Sequence, residues 1–135
     1  DIIRQTLMLI MTNKDNDYTS FTGKDMDAFV RDHGNEALEK TDTLKSALDK
    51  LDKNFEELKT IQLNIPMILF VSYRCVKDNK SFTKLVEIIN QFLSDYSDKD
   101  KLQEYKGFCS GSTTSSTNVR GRLDFWRGII RELDK

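Results

Sequence analysis

Few side chains in this sequence can do chemistry, and they are far apart. There is one histidine, His33, and there are two cysteines, Cys75 and Cys109. A thiol nucleophile needs a base within hydrogen-bond reach, usually oriented by a third group. Cys109 lies in the small-residue run Gly107-Phe-Cys-Ser-Gly111, with His33 as its only imidazole candidate, and nothing in the spacing joins them. Neither cysteine has an arginine six positions on, as a phosphatase-type phosphate loop requires. A zinc site takes three or four ligands at characteristic spacings, which this inventory does not supply. Asn13, Asp15, Asp17 and Thr19 begin like a calcium loop. The sixth position is Tyr18 instead of Gly and the twelfth is Lys24 instead of Glu, so a solvated loop is expected. No glycine pattern resembles a nucleotide-binding loop. The sequence assigns no catalytic residue, metal ligand or cofactor, and the expectation is a protein without enzymatic activity.

The remaining candidates concern contacts and covalent state. Four of the seven arginines, Arg120, Arg122, Arg127 and Arg131, fall in the last sixteen residues, whereas Thr22–Leu58 is acidic overall. On a helix Arg120, Arg127 and Arg131 share one side. Either they form a rim for an acidic partner, since guanidinium forks suit carboxylates, or they dock the last helix onto the acidic one or simply stay solvated. The second reading, internal or solvated, is preferred. A Cys75–Cys109 disulfide is expected. It would close a loop of about 34 residues and add roughly 3–4 kcal/mol on the chain-entropy model. Such a bridge implies a secreted or surface location; the alternative is two reduced thiols inside a cell. Asn79-Lys80-Ser81 is an N-glycosylation acceptor pattern, relevant to an exported chain.

The elements that must position these groups read as helices. With 135 residues the chain fits one domain with a real core. Its 38% hydrophobic and 32% charged residues suit helices with broad wet faces. A net charge of −1 gives no pull toward nucleic acid, which needs clustered positive charge. No run approaches the length of a membrane span. Leu7–Met11 is too short for a signal peptide, and the first residue, Asp1, suggests a processed or trimmed chain, compatible with the removal of a leader or lipid anchor.

Ile2–Thr12 reads as a helix or a buried arm, and Asn13–Phe21 as a loop. A short helix starts at Thr22 or Gly23, with Met26, Phe29 and Val30 on one side and Gly34 as its terminator. Ala37, Thr41, Leu44, Leu48, Leu51, Phe55 and Leu58 then alternate spacings of four and three, an apolar stripe along about six turns. Pro66 suits the start of the next element, the apolar block Pro66–Val76. Its periodicity fits strand or helix, and the helical surroundings favour a helix buried on nearly every side. Ser81 is placed to cap a helix carrying Leu85, Ile89, Phe92 and Tyr96, and Asp98 to cap a short one with Leu102 and Tyr105. A flexible Ser/Thr/Gly-rich loop is expected at 107–118. Val119–Lys135 closes the chain as a helix with Leu123, Trp126, Ile130 and Leu133 on one face. The fold expected is all-α, a single domain over 1–135 built as a helical bundle around a buried central helix.

Three features together give a resemblance: the Lys/Asp/Asn-rich helices, the cysteine-bearing segment Pro66–Lys77, and Cys109-Ser-Gly-Ser-Thr-Thr-Ser-Ser116. In these the chain resembles the helical ectodomains of apicomplexan blood-parasite surface antigens, particularly those of piroplasms. That resemblance implies a lipid-anchored, antibody-exposed protein that contacts host cells. The function expected is contact with a protein partner, of the host or of the same kind, through the exposed side of Ala37–Leu58 and the arginine-bearing last helix. The alternative is an intracellular helical adaptor that binds a partner helix along its heptad stripe.

Overall fold

The apolar block after Pro66 is a helix, and the rest of the molecule is arranged around it. A computed structural model describes all residues from Asp1 to Lys135 and shows seven α-helices, a single 3₁₀ turn and no strand. The central element, α4 (Ile65–Lys77), begins with Pro66 in its first turn, where a missing N–H costs nothing. Met67, Ile68, Leu69, Phe70, Val71, Ser72, Tyr73 and Cys75 are all buried. The Ser72 hydroxyl, 0% exposed, donates to the Ile68 carbonyl of the preceding turn at 2.7 Å and so is satisfied within the helix.

A helix apolar all round must be covered all round. Four others do this: α1 (Ile2–Met11), α3 (Thr41–Asn54), α5 (Phe82–Ser97) and α7 (Ser116–Leu133) all pack on α4. Each turns one stripe inward, with Met8 and Leu9 from α1, Leu44, Ala47 and Leu51 from α3, Leu85, Ile89 and Phe92 from α5, and Val119, Leu123 and Trp126 from α7. The second helix, α2 (Gly23–Leu38), packs on α1 and buries Met26, Phe29 and Ala37. A short α6 (Gln103–Gly107) contacts α7 and buries Tyr105. The expected cap at Ser81 forms, accepting from the Lys84 amide at 3.1 Å, and α2 is capped as well, by the Thr22 hydroxyl accepting from the Asp25 amide at 3.3 Å.

Several local expectations are corrected. The six-turn stripe is cut in two, because α2 runs through Gly34 to Leu38 and α3 starts at Thr41. At the junction the Glu39 and Lys40 amides bond to Glu36 and Ala37 carbonyls in tight i→i+3 fashion, and the Thr41 hydroxyl takes the Leu38 carbonyl at 2.7 Å. Those bonds satisfy the end of α2 while the chain turns. Ala37 and Leu44 are both buried although they sit on different helices. At the other end Phe55 is extended (φ −132°, ψ 124°), so neither it nor Leu58 is helical. Val30 points outward, 45% exposed. Asp98 uses its carboxylate on the Asp100 amide at 2.9 Å, and α6 is entered through Leu102 in a left-handed conformation, φ 56°. The Ser/Thr/Gly stretch at 107–118 is also shorter as a loop than read, since Gly107 ends α6 and Ser116–Asn118 belong to α7.

Replacing Phe70 by alanine should destabilise the protein by about 3–5 kcal/mol, since the ring is enclosed by four helices that cannot all collapse onto the void. Lys45→Ala on the exposed side of α3 should cost no more than about 0.5 kcal/mol. Urea unfolding followed by circular dichroism reads both.

Candidate docking groove

Once the core stripes of α5 and α7 face α4, the residues one step around each helix are left at the edge. On α7 these are Gly121, Phe125 and Ile129, spaced i, i+4, i+8 along one line. On α5 the corresponding edge carries Ile88, Gln91 and Asp95. The short α6 and Leu102 lie across the end of this trough. Two depressions result, of about 510 Å³ and about 200 Å³, and they share Leu102 and Phe125. The larger adds Tyr105 and Phe108 to its wall, the smaller Phe92 and Ile129. Gly121 is what lets Phe108 lie so deep, because a Cβ there would sit 2.4 Å from the Phe108 ring.

The floor is an aromatic cluster. Phe92 lies 4.5 Å from Trp126 and 5.4 Å from Tyr105, and Tyr105 lies 4.8 Å from Phe125, centroid to centroid in tilted or edge-on pairs. Its polar atoms are tied inward. Trp126 Nε1 donates to the Tyr105 hydroxyl at 3.0 Å, and that hydroxyl donates to Asn64 Oδ1 at 2.5 Å. Asn64 in turn donates to Thr60 at 2.8 Å. Burial drives the Tyr105 phenol well above its ordinary range, while Trp126 opposes this by donating to it. Burial likewise pushes Tyr96 up to about 12, reinforced by Cys109. The Tyr105 phenol serves as a hydrogen-bonding strut between Trp126 and Asn64, while Tyr96 packs its ring against Phe92 and Tyr105.

Behind the groove lies the one buried charge. Arg122, 1% exposed, donates from Nη1 to the Phe108 carbonyl at 2.5 Å and from Nη2 to the Thr113 carbonyl at 2.9 Å, while its Nε has no partner. Burial lowers its pKa, against neighbouring Cys109, Tyr105 and Tyr96. No carboxylate pairs with it. Its role is to hold both ends of the Ser/Thr/Gly turn, whose Thr114 carbonyl also accepts from the Phe21 amide at 2.9 Å.

The residues singled out in the sequence end in different places. Arg120 faces Asp17 at 3.6 Å. Arg127 reaches Asp124 at 3.7 Å and donates to the Thr12 carbonyl at 3.3 Å. Arg120 and Arg127 therefore dock α7 on the loop after α1 and not on the acidic helix, while Arg131 is exposed at the outer end. Asn79 is exposed in a left-handed turn, φ 53°, and Ser81 is used as the α5 cap. The expected Cys75–Cys109 disulfide is absent, and both thiols are free. Each is turned toward the backbone of its own turn, Cys75 donating to the Lys80 carbonyl and Cys109 to the Tyr105 carbonyl, both at 3.6 Å. Burial pushes both thiols up, with Tyr96 and Arg122 opposing at Cys109. His33 bonds the Tyr18 hydroxyl at 3.3 Å and faces Glu36 at 3.6 Å, so the only imidazole is not presented to Cys109.

A second cavity, about 350 Å³, opens between α1 and α2 and is lined by Asp17, Tyr18, Ser20, Asp25, Asp32 and His33. Its carboxylates are already engaged. At Asp17 partial burial acts upward, but the Thr19 hydroxyl and amide with Arg120 and Arg127 outweigh it and hold the group below its usual value. Hydrogen bonds from Ser20 and Thr22 lower Asp25, and Arg31 lowers Asp32. In the neighbouring calcium-like loop, Asn13 Oδ1 takes the Asp15 and Asn16 amides, both at 2.9 Å, so the oxygens turn inward to backbone instead of converging.

Compared with protein-family models, with characterised proteins and with solved structures, the chain has no significant match. The groove was not singled out by sequence reasoning, and Arg122, noted there only as one of four clustered arginines, was not read as buried. The available signal was the concentration of Phe92, Tyr96, Tyr105, Phe108, Phe125 and Trp126 in one stretch, more aromatics than one helix face can bury.

Two outcomes follow. Reduction should leave the intact mass unchanged, and a native alkylation time course should label Cys109 before the deeper Cys75; hydrogen uptake on reduction would contradict the free thiols. Arg122→Met should cost about 1–3 kcal/mol by leaving two carbonyls without donors, and should raise chymotryptic cleavage after Phe108 severalfold at an unchanged helical content.

Proposed function

We propose that this is a non-enzymatic contact protein, secreted or displayed on a cell surface, that binds another protein in the trough between α5, α6 and α7. The observation that carries the reading is the continuous half-buried apolar lining around Leu102, Phe125 and Ile129, set on a rigid aromatic floor. Such troughs between helices are where apolar helices and peptides dock. The groups that a reaction would recruit support the same reading. Cys109 and His33 are committed to separate partners, and the phenols of the floor are held neutral.

The surface location is supported by the resemblance to piroplasm antigens and by the exposed Asn79 of the acceptor tripeptide. It has lost the disulfide as an argument. The two free thiols favour a second reading, an adaptor working inside a cell. In that case too the partner uses the trough, because Leu44 and Leu51 of the heptad stripe are spent in the core against α4. The exposed side of α3 and the arginines of α7 become secondary surfaces, two of the three arginines being engaged within the molecule.

A photocrosslinking residue at Ile129 should give one discrete protein adduct in material from the source organism, and the same probe at Lys45 none. Equal labelling from both positions, or none from Ile129, removes the contact reading. Antibody staining of intact cells separates the two locations, since an adaptor stains only after permeabilisation.

A further inference from the structure

We infer that the occupant of the trough is an amphipathic helix of another protein that carries lysine or arginine on both flanks of its apolar stripe; the inference rests on the contact reading above. The charged side chains that line the trough are all acidic, although two of the three have a cation beside them. Asp95 on α5, Glu104 on α6 and Asp124 on α7 line it, and no lysine or arginine does. Their internal compensation is incomplete: two are paired at the surface and one is not, which leaves the rim with a net negative charge. Asp124 has Arg127 at 3.7 Å, Asp95 has Lys101 at 3.5 Å, and Glu104 has no ion pair. Carboxylates rising from three different elements around an apolar floor make a negative rim, and such a rim selects a cationic partner and repels an acidic one.

The floor sets the shape. Phe125 and Ile129 lie one turn apart on α7 with Leu102 beside them, so the contact line follows a helix axis. Apolar side chains at i, i+3 or i+4, and i+7 of an incoming helix match that spacing.

A second copy of this chain does not fit. Its most exposed apolar stripe is on α2, where Val30 and Leu38 are 45% and 66% exposed. That stripe is flanked by Asp27, which Arg4 meets at 3.2 Å, and by Glu39, and the adjacent Arg31 is already paired with Asp32 at 3.0 Å. Placed on the trough it would bring paired charges and the Glu39 carboxylate to an acidic rim, with no cation on both flanks of the stripe.

Two synthetic helical peptides of about 14 residues test this, with the same leucine stripe of period 3.6 and either lysine or glutamate on both flanks. Fluorescence anisotropy against the full chain should show the lysine peptide binding at least about tenfold tighter at low salt, with the margin shrinking as salt rises. The double variant Glu104→Lys/Asp124→Lys, at two exposed positions, should reverse the preference, and Ile129→Lys should weaken both peptides. Equal affinity for the two peptides, still lost in Ile129→Lys, overturns the cationic occupant and leaves the groove as a contact site. Failure of both peptides, or binding indifferent to Ile129→Lys, overturns the occupant and the contact reading together.

Discussion

A helix with no wet face imposes a requirement on everything around it. From Met67 to Val71 every side chain of α4 is at most 4% exposed, and each would cost about 1.5–3 kcal/mol if left in water. Four helices therefore have to present apolar stripes at the same depth, and their lengths and connections follow from reaching α4. The α2–α3 turn illustrates this. The apolar spacing would allow one long rod, but a straight rod cannot cover both α1 and α4. The chain bends at Glu39–Lys40, and Thr41 ties off the end of α2.

The same requirement explains where polar atoms are tolerated. Ser72 at the centre of α4 is closed on its own helix, Asn64 at its entry is tied to Tyr105 and Thr60, and Arg122 behind α7 spends its Nη atoms on two carbonyls, with Nε left over. Asn64, at the entry to α4, is 0% exposed and accepts from Tyr105, which accepts from Trp126. Left without partners, such groups would each cost about 1–3 kcal/mol. Linked, they pin α6 and α7 to the start of α4, which makes the aromatic floor of the trough rigid. Arg122 extends the arrangement to the Ser/Thr/Gly turn. Docking surfaces built on rigid elements lose less entropy on binding, so the trough is set by the core behind it.

Much of this architecture was legible in the residues. The length and apolar density of Pro66–Val76, the stripe at Leu85, Ile89 and Phe92, the helix start at Gly23 and the cap at Ser81 each follow from a local rule and are found as read. The failures share a cause. Gly34 looked like a terminator because glycine often is one, yet nothing at that point of α2 needs a positive φ, so the helix continues. The heptad run obeyed its period across a turn that the period cannot register. The cysteines looked like a pair because they were two; their directions depend on where α4 and α6 end. The trough was hidden for a similar reason. Ile88, Leu102, Phe125 and Ile129 come from separate segments, and each alone looks like ordinary core.

The most direct measurement is native-state hydrogen exchange at the amides of Met67 through Val76. Protection there should reach the free energy of global unfolding, with the ends of α1 and the 108–115 turn exchanging far sooner. If the α4 amides exchange through local opening at a small fraction of that free energy, α4 is not enclosed, and both the fold and the trough built on it are wrong.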